Sequence, residues 1–371
     1  MPDAQETVLE INLNALKDNF EYLKSRIPKE TRFLAVVKAF AYGHDAIKTA
    51  QFLEQLGVDY FAVAYTSEGL ALRKAGIKTP ILVLHPQVVN FSNLIEGCLE
   101  PSLYNANVLR QFIAVAEQKS LHNYPIHVKF NTGLNRLGFW ENDVDLVLNE
   151  LSKTKAVQVK SIFSHLAASE DLDEKSFSEQ QIASFKKTAN AMIEGLGFKP
   201  ILHMCNTSGL LNFPQAHFDM VRSGIGLFGF GNSKKENKNL KPIASLKSVI
   251  SQIHQIENGE SVGYNRAYSA KGFTQTATIP IGHADGIGRQ YGNGKGFVTI
   301  GGKKAPIIGN VCMDMIMVDI TDVACKEGDE VIIFDRDNTA ENFAGTANTI
   351  SYELLTAISP RVKRIYIGDS F

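Results

Sequence analysis

The run RFLAVVKA at 32–39 is apolar and rich in β-branched residues, and it ends on a lysine and a turn. Seven further runs of the same kind follow: YFAVAY (60–65), PILVL (80–84), EPSLY (100–104), IHVKFN (126–131), VQVKSIFSH (157–165), ILHMCN (201–206) and FDMVRS (218–223). Amphipathic stretches of helical period separate them. Near-continuous apolar strands divided by helices indicate buried parallel strands. Eight such units within about 200 residues fit a closed (β/α)8 TIM-type barrel better than an open sheet.

Outward from this set, Leu16, Phe20, Leu23 and Ile27 share one face of a preceding helix, with Asn14 as its expected N-cap. A longer helix is expected over 174–195, carrying Phe177, Ile182, Phe185 and Ile193. The stretch GNSKKENKNLKP at 231–242 is polar, Lys/Asn-rich and closed by Pro242, and marks the domain boundary as a solvated linker. Beyond it the helical period gives way to alternating or apolar strand-length runs punctuated by glycine. The expected organisation is a barrel over 1–235 and a mostly β domain over 236–371, with one late helix near 349–358.

The 371 residues carry 38 Lys plus Arg against 39 Asp plus Glu, a net charge of −1, which disfavours nucleic acid or a polybasic membrane surface as partner. No apolar run approaches the roughly 18 residues of a membrane span. MPDAQETVLE lacks the basic start and apolar core of a secretory signal. Cys98, Cys205, Cys312 and Cys325 are widely spaced, as in a reduced cytoplasmic protein, and no metal site is expected.

In a barrel, chemistry gathers at the C-terminal strand ends. Here these ends carry Lys38, Lys129 with Arg136 beyond it, His165, Asn206 and Thr207, and Arg222 followed by SGIG. One strand-end lysine is most often a solvated residue; five functionalised ends make that reading poor. Apolar Ala35, Val36, Val37 and Ala39 would desolvate the Lys38 ammonium and leave a nucleophilic amine, as in a Schiff-base lysine. The NTSG and SGIG turns offer small residues and free N–H groups where barrels bind phosphate. Pyridoxal phosphate or a phosphosugar substrate both satisfy this pairing.

Nine segments sharpen the choice: AVVKAFAYGH, FAVAYTSEGLALRKAGI, VKFNTGLNRLGF, HMCNTSG, MVRSGIGLFG, SVGYNR, IGHADG, VCMDMIMVD and ISYELLTAISPRV, in this order. Together they resemble bacterial alanine racemase over essentially the whole chain. The resemblance implies pyridoxal 5'-phosphate in the barrel and a head-to-tail homodimer whose β domains complete each other's active sites. It implies L-alanine/D-alanine interconversion supplying peptidoglycan. Lys38 falls on the family's cofactor-holding base. Tyr264 falls on the tyrosine that serves the opposite face of Cα from the other subunit. Arg222 matches the arginine on the pyridine nitrogen and His165 the histidine near the ring. Tyr42, Asn206, Thr207, Gly224, Ile225 and Tyr352 match positions around the phosphate. Arg136 and the Met313 backbone match those that hold the substrate carboxylate, and Lys129 matches a lysine carbamylated in many members. Cys312 and Asp314 complete the VCMD segment without a catalytic step.

The chain departs from the family pattern at Asn131 (usually Asp), Ser223 (often Pro), Asn265 (often Gly) and His283, where tyrosine generally flanks the channel to the site. These departures bear most on substrate identity. The competing readings are a broader or serine-preferring racemase, a decarboxylase of the same architecture, and a non-catalytic, barrel-only pyridoxal-phosphate protein. The decarboxylases typically use a triple-glycine loop that this chain lacks, and the barrel-only protein has no β domain.

Overall fold

The structure, a computed structural model, describes residues 5–368. All eight expected barrel strands form, as Arg32–Val36, Tyr60–Val63, Ile81–Val83, Glu100–Leu103, Tyr124–Lys129, Val157–Phe163, Ile201–His203 and Met220–Ser223. They make one parallel sheet in which the first strand pairs with both the second and the eighth: Leu34 stands opposite Tyr60 on one side and Arg222 on the other. The seam between the last two strands is bridged by Asp219 N–H to Leu202 O at 3.1 Å and Arg222 N–H to Cys205 O at 3.3 Å. Several strands stop before the expected ends, because their polar tails turn into the mouth of the barrel.

Helices cover the outside by the usual 3–4 spacing. Lys175–Leu196 buries Ile182, Phe185, Ala189 and Met192 along one stripe. Each large side chain so buried stabilises the barrel by about 1.5–3 kcal/mol. The barrel interior is less uniform. Ser102, His127, Ser161 and His203 lie in it fully buried, with the Tyr60 ring edge-on to His127.

The first helix, Leu13–Ser25, is capped by Asn12, whose side chain accepts from Ala15 N–H at 3.0 Å. The expected cap, Asn14, lies inside the helix. Asn12 also ends a strand, Val8–Asn12, that pairs antiparallel with Ala244–Val249 and parallel with Lys363–Ile367. Val8–Asn12 therefore belongs to the second domain's nine-stranded sheet, although the sequence groups these residues with the barrel. That sheet runs through eight strands between residues 244 and 367, with a separate small ribbon at 261–269. The late helix is Ser351–Ala357, and a second one, Ala340–Gly345, precedes it unanticipated.

The 231–242 segment is not simply solvated. It contains the turn Lys234–Asn237, and its buried Glu236 accepts from Ser208 Oγ at 2.9 Å, Asn212 Nδ2 at 2.7 Å and Asn232 N–H at 2.7 Å. The linker is thereby pinned to the barrel rim. Among the described residues, no helix is long and apolar enough to cross a membrane.

Candidate active site

Lys38 stands two residues beyond its strand, at the head of an unusual turn. Ala39, Phe40, Ala41 and Tyr42 all have φ between 53° and 57°, a left-handed turn built without glycine. Left-handed backbone costs about 1–2 kcal/mol per residue, so the surroundings must hold it. Ala41 N–H bonds to Val37 O at 3.0 Å and Gly43 N–H to Ala39 O at 3.1 Å. Glu68 accepts from Ala39 N–H at 2.7 Å while also accepting from Ala64 N–H at 2.7 Å, tying the turn to the second strand. From the second domain, Arg364 donates to Gly43 O at 2.8 Å, and Tyr366 donates to Asp45 at 2.8 Å. Gly43 has φ +88°, and a Cβ there would fall 2.1 Å from Leu355 O.

The turn faces a cavity of ≈ 560 Å³ at the barrel mouth. Its wall includes Lys38, Tyr42, Lys129, Arg136, His165, Asn206, Thr207, Arg222, Gly224, Ile225 and Tyr352, every barrel-side residue matched to a cofactor or substrate role and one from the second domain. Four cations line it and no carboxylate does. Such a wall selects anions.

Burial first, then the Arg136 charge, lowers the Lys38 amine below the ordinary lysine range, with Glu68 opposing. Lys129, 8% exposed, is brought down to about 8 by burial and then by Arg136, Arg222 and Lys38. His165 is held well below the usual histidine value by burial and the same cations, so it is neutral. Arg222 is lowered to about 10 by burial and remains charged at neutral pH.

Arg222 donates to Ser164 O at 2.8 Å, Met204 O at 3.0 Å, His165 Nδ1 at 3.0 Å and His203 Nδ1 at 2.6 Å. Asn206 caps Thr207–Asn212 through Gly209 N–H at 2.8 Å. Thr207 Oγ1 bonds to the Ser223 hydroxyl at 3.0 Å, so Ser223 fills its place with a hydrogen-bonding group. A Cβ on Gly224 would come 2.3 Å from Tyr42 Oη. The absence of a side chain there lets the phenol reach the rim. Burial pushes the Tyr42 phenol up and that of Tyr352 up to about 12, so both stay protonated donors.

Two expected residues stand elsewhere. Tyr264 is 73% exposed and Met313 60% exposed, both off the cavity wall in their own chain. Met313 is nonetheless fixed: its carbonyl accepts from Ala284 N–H at 3.0 Å, beside His283 N–H to Cys312 O at 3.0 Å. Asp314 pairs with Arg361 at 2.5 Å, and Arg361 with buried Asp285 at 2.6 Å, which gives the VCMD aspartate a bracing role. Asn131 accepts from Asn135 N–H at 2.9 Å, shaping the loop that carries Arg136. Glu68 and His203 were not expected at the site, although they lie in FAVAYTSEGLALRKAGI and HMCNTSG.

The comparisons agree with this geometry. The family model "Alanine racemase, N-terminal domain" matches residues 11–231 and "Alanine racemase, C-terminal domain" residues 243–366. Alanine racemase 1 of Caldanaerobacter subterraneus subsp. tengcongensis is 34% identical over 98% of this chain and 95% of its own. The alanine racemase structure of Clostridium difficile 630 superposes with a TM-score of 0.92 at 34% identity, covering 99% of this chain and 97% of that one. That of Bartonella henselae with covalently bound pyridoxal phosphate gives 0.88 at 30% identity, covering 98% and 100%. With two family models spanning barrel and β domain, and relatives matched end to end, the chain belongs to the alanine racemase family.

Proposed function

We propose that the protein interconverts L- and D-alanine with pyridoxal 5'-phosphate held at Lys38, by two bases on opposite faces of Cα. The observation that carries this is the cavity itself: a desolvated lysine amine among three further cations, with no carboxylate on the wall. A flat anionic aldehyde fits it. The Lys38 amine would meet the aldehyde, Arg222 would be a charged donor for the ring nitrogen, and Tyr42, Tyr352 and the 206–207 and 224–225 turns would hold the phosphate. When bound, the cofactor supplies the electron sink that makes the amino acid's Cα proton acidic.

The chain's own groups do the rest. Lys38 Nζ takes or returns the proton on one face of Cα, and the Tyr264 phenol of a second copy serves the other. Exposure of Tyr264 and Met313, away from their own chain's cavity, supports a homodimer in which each site is shared. Arg136 binds the alanine carboxylate, with the Met313 backbone of the other copy. Arg222 donates but cannot accept a proton, so a bound cofactor's ring nitrogen would stay unprotonated, which would favour proton return over transamination. The neutral fraction of Lys129, substantial at about 8, adds to carbon dioxide, forming an N–C bond and releasing one proton. The resulting carbamate anion faces Arg136 and orients it.

We place the enzyme in the cytoplasm, on its free cysteines, supplying D-alanine for peptidoglycan. Tyr352, from the second domain, lines the cavity, a contribution a barrel-only cofactor carrier has no residue to make. The test is proton NMR of L-alanine in D2O with protein and added cofactor, followed by chiral analysis, with serine run alongside. Cα exchange with D-alanine appearing is expected. Exchange without inversion, or none, would refute a two-base racemase, and faster turnover of serine would move the substrate assignment.

A further inference from the structure

The buried polar groups of the barrel interior are linked. Arg222 Nη1 bonds to His203 Nδ1 at 2.6 Å, and His203 Nε2 to Ser161 Oγ at 2.9 Å. Ser161 Oγ bonds to His127 Nδ1 at 2.5 Å, and His127 Nε2 to Glu100 Oε2 at 2.7 Å. His203, Ser161 and His127 are wholly buried, and Glu100 sits at the first residue of its strand, at the end of the barrel opposite the mouth. Four hydrogen bonds thus cross the barrel from the guanidinium beneath the cavity to a carboxylate at the far end.

Donor chemistry fixes their direction. A guanidinium only donates, so His203 Nδ1 accepts and its proton lies on Nε2, donated to Ser161. Among the described residues the Ser161 hydroxyl touches only the two histidines. Its own hydrogen must therefore go to His127 Nδ1, since a buried hydroxyl left without an acceptor is costly. His127 is then neutral, with its proton on Nε2 facing Glu100. No carboxylate hydrogen-bonds Arg222 directly; the chain ends on one.

We propose that Ser161, His127 and Glu100 are positioning residues that lock His203 in its Nε2-protonated form and so hold Arg222 as a donor toward the cofactor ring. The role of Arg222 rests on the functional reading above; the direction of the chain does not. With Ser161 replaced by alanine, His203 Nε2–H loses its acceptor. The competing tautomer would aim a hydrogen at Arg222 Nη1, displacing the guanidinium and freeing the ring nitrogen to be protonated. Alanine would then be lost more often by transamination, its amino group passing to the cofactor as pyruvate leaves.

The histidine tautomers are read by 15N NMR of the cofactor-free protein labelled at histidine. His203 and His127 are each expected to carry a single proton on Nε2. A proton on His203 Nδ1, or a doubly protonated His127 at neutral pH, would overturn the chain's direction. In the holoenzyme, Ser161→Ala is expected to raise pyruvate released per racemisation about tenfold with little change in KM, whereas Ser161→Thr, which keeps the hydroxyl, returns to the parent ratio. Glu100→Gln keeps an acceptor for His127 and is expected to preserve both tautomers. An unchanged ratio in Ser161→Ala, or an equal rise in Ser161→Thr, would overturn the positioning role. If the tautomers are as expected but the parent protein racemises nothing, the functional reading fails and the positioning role falls with it, while the hydrogen-bonded chain stands.

Discussion

The barrel mouth and the Tyr264–Met313 surface are built in opposite ways. The cofactor side of the mouth is built within one chain: four cations, two protonated phenols and a left-handed turn, clamped by residues of both domains. The other surface is braced too, through Arg361 and its two aspartates, yet its Tyr264 and Met313 side chains are exposed and lie off that cavity's wall. On the proposed reading, that surface is ordered so as to serve the mouth of a second copy.

The sharpest way to break this contrast is to remove one base from each side. Lys38→Ala and Tyr264→Phe should each lower kcat by about a thousandfold, measured by D-alanine formation, although only Lys38 lines the cavity of its own chain. A small loss in Tyr264→Phe would reduce that surface to packing.

The clamp on the mouth is next. Gly43→Ala introduces a Cβ against Leu355 O at a backbone angle that disfavours any side chain. It should cost about 4 kcal/mol in denaturant unfolding. A cost below 1 kcal/mol would mean the left-handed turn relaxes freely.

Lys129 tests the electrostatics of the mouth. Its folded-state value of about 8 lies below the 10.5 of an unperturbed lysine. Below pH 8 both folded and unfolded chains hold the proton and the folded state bears the full penalty. Between pH 8 and 10.5 the unfolded chain holds more protons, so stability rises with pH. Across this window the cofactor-free, carbon-dioxide-free protein should gain about 3 kcal/mol attributable to this group, and Lys129→Met should lose that part of the slope. Parallel pH curves for the two proteins would show that Lys129 is not desolvated.

The smallest effect belongs to the exposed brace. Asp314→Asn should cost about 0.5 kcal/mol in stability while raising the KM for alanine a few-fold with kcat held. A change in kcat alone would mean that Asp314 acts on chemistry rather than on the Met313 loop.

The same contrast explains what was legible in the residue order. The eight barrel strands announce themselves because each is a continuous apolar run, and the strand-end Lys, His and Arg residues stand out against them. The strand Val8–Asn12 was invisible because its partners lie beyond residue 240, and nothing in VLEIN says which sheet it joins. The turn at 39–42 was unreadable for a different reason. Ala-Phe-Ala-Tyr has no glycine, so the left-handed backbone is imposed by Glu68, Gly43 and Arg364 rather than by local preference. The Lys/Asn-rich segment looked like a solvated linker because its single buried anchor, Glu236, is one charge among many. Nothing in the sequence marks His203 or Ser161, since their meaning lies in a chain of bonds across five strands.

Mixing Lys38→Ala with Tyr264→Phe protein tests the shared site most directly. In a heterodimer one site has lost both bases and the other has kept both. Random exchange should therefore restore about a quarter of the parent activity from two inactive proteins. No recovery, in a mixture where heterodimers are shown to form, would contradict the account and place both bases within one chain.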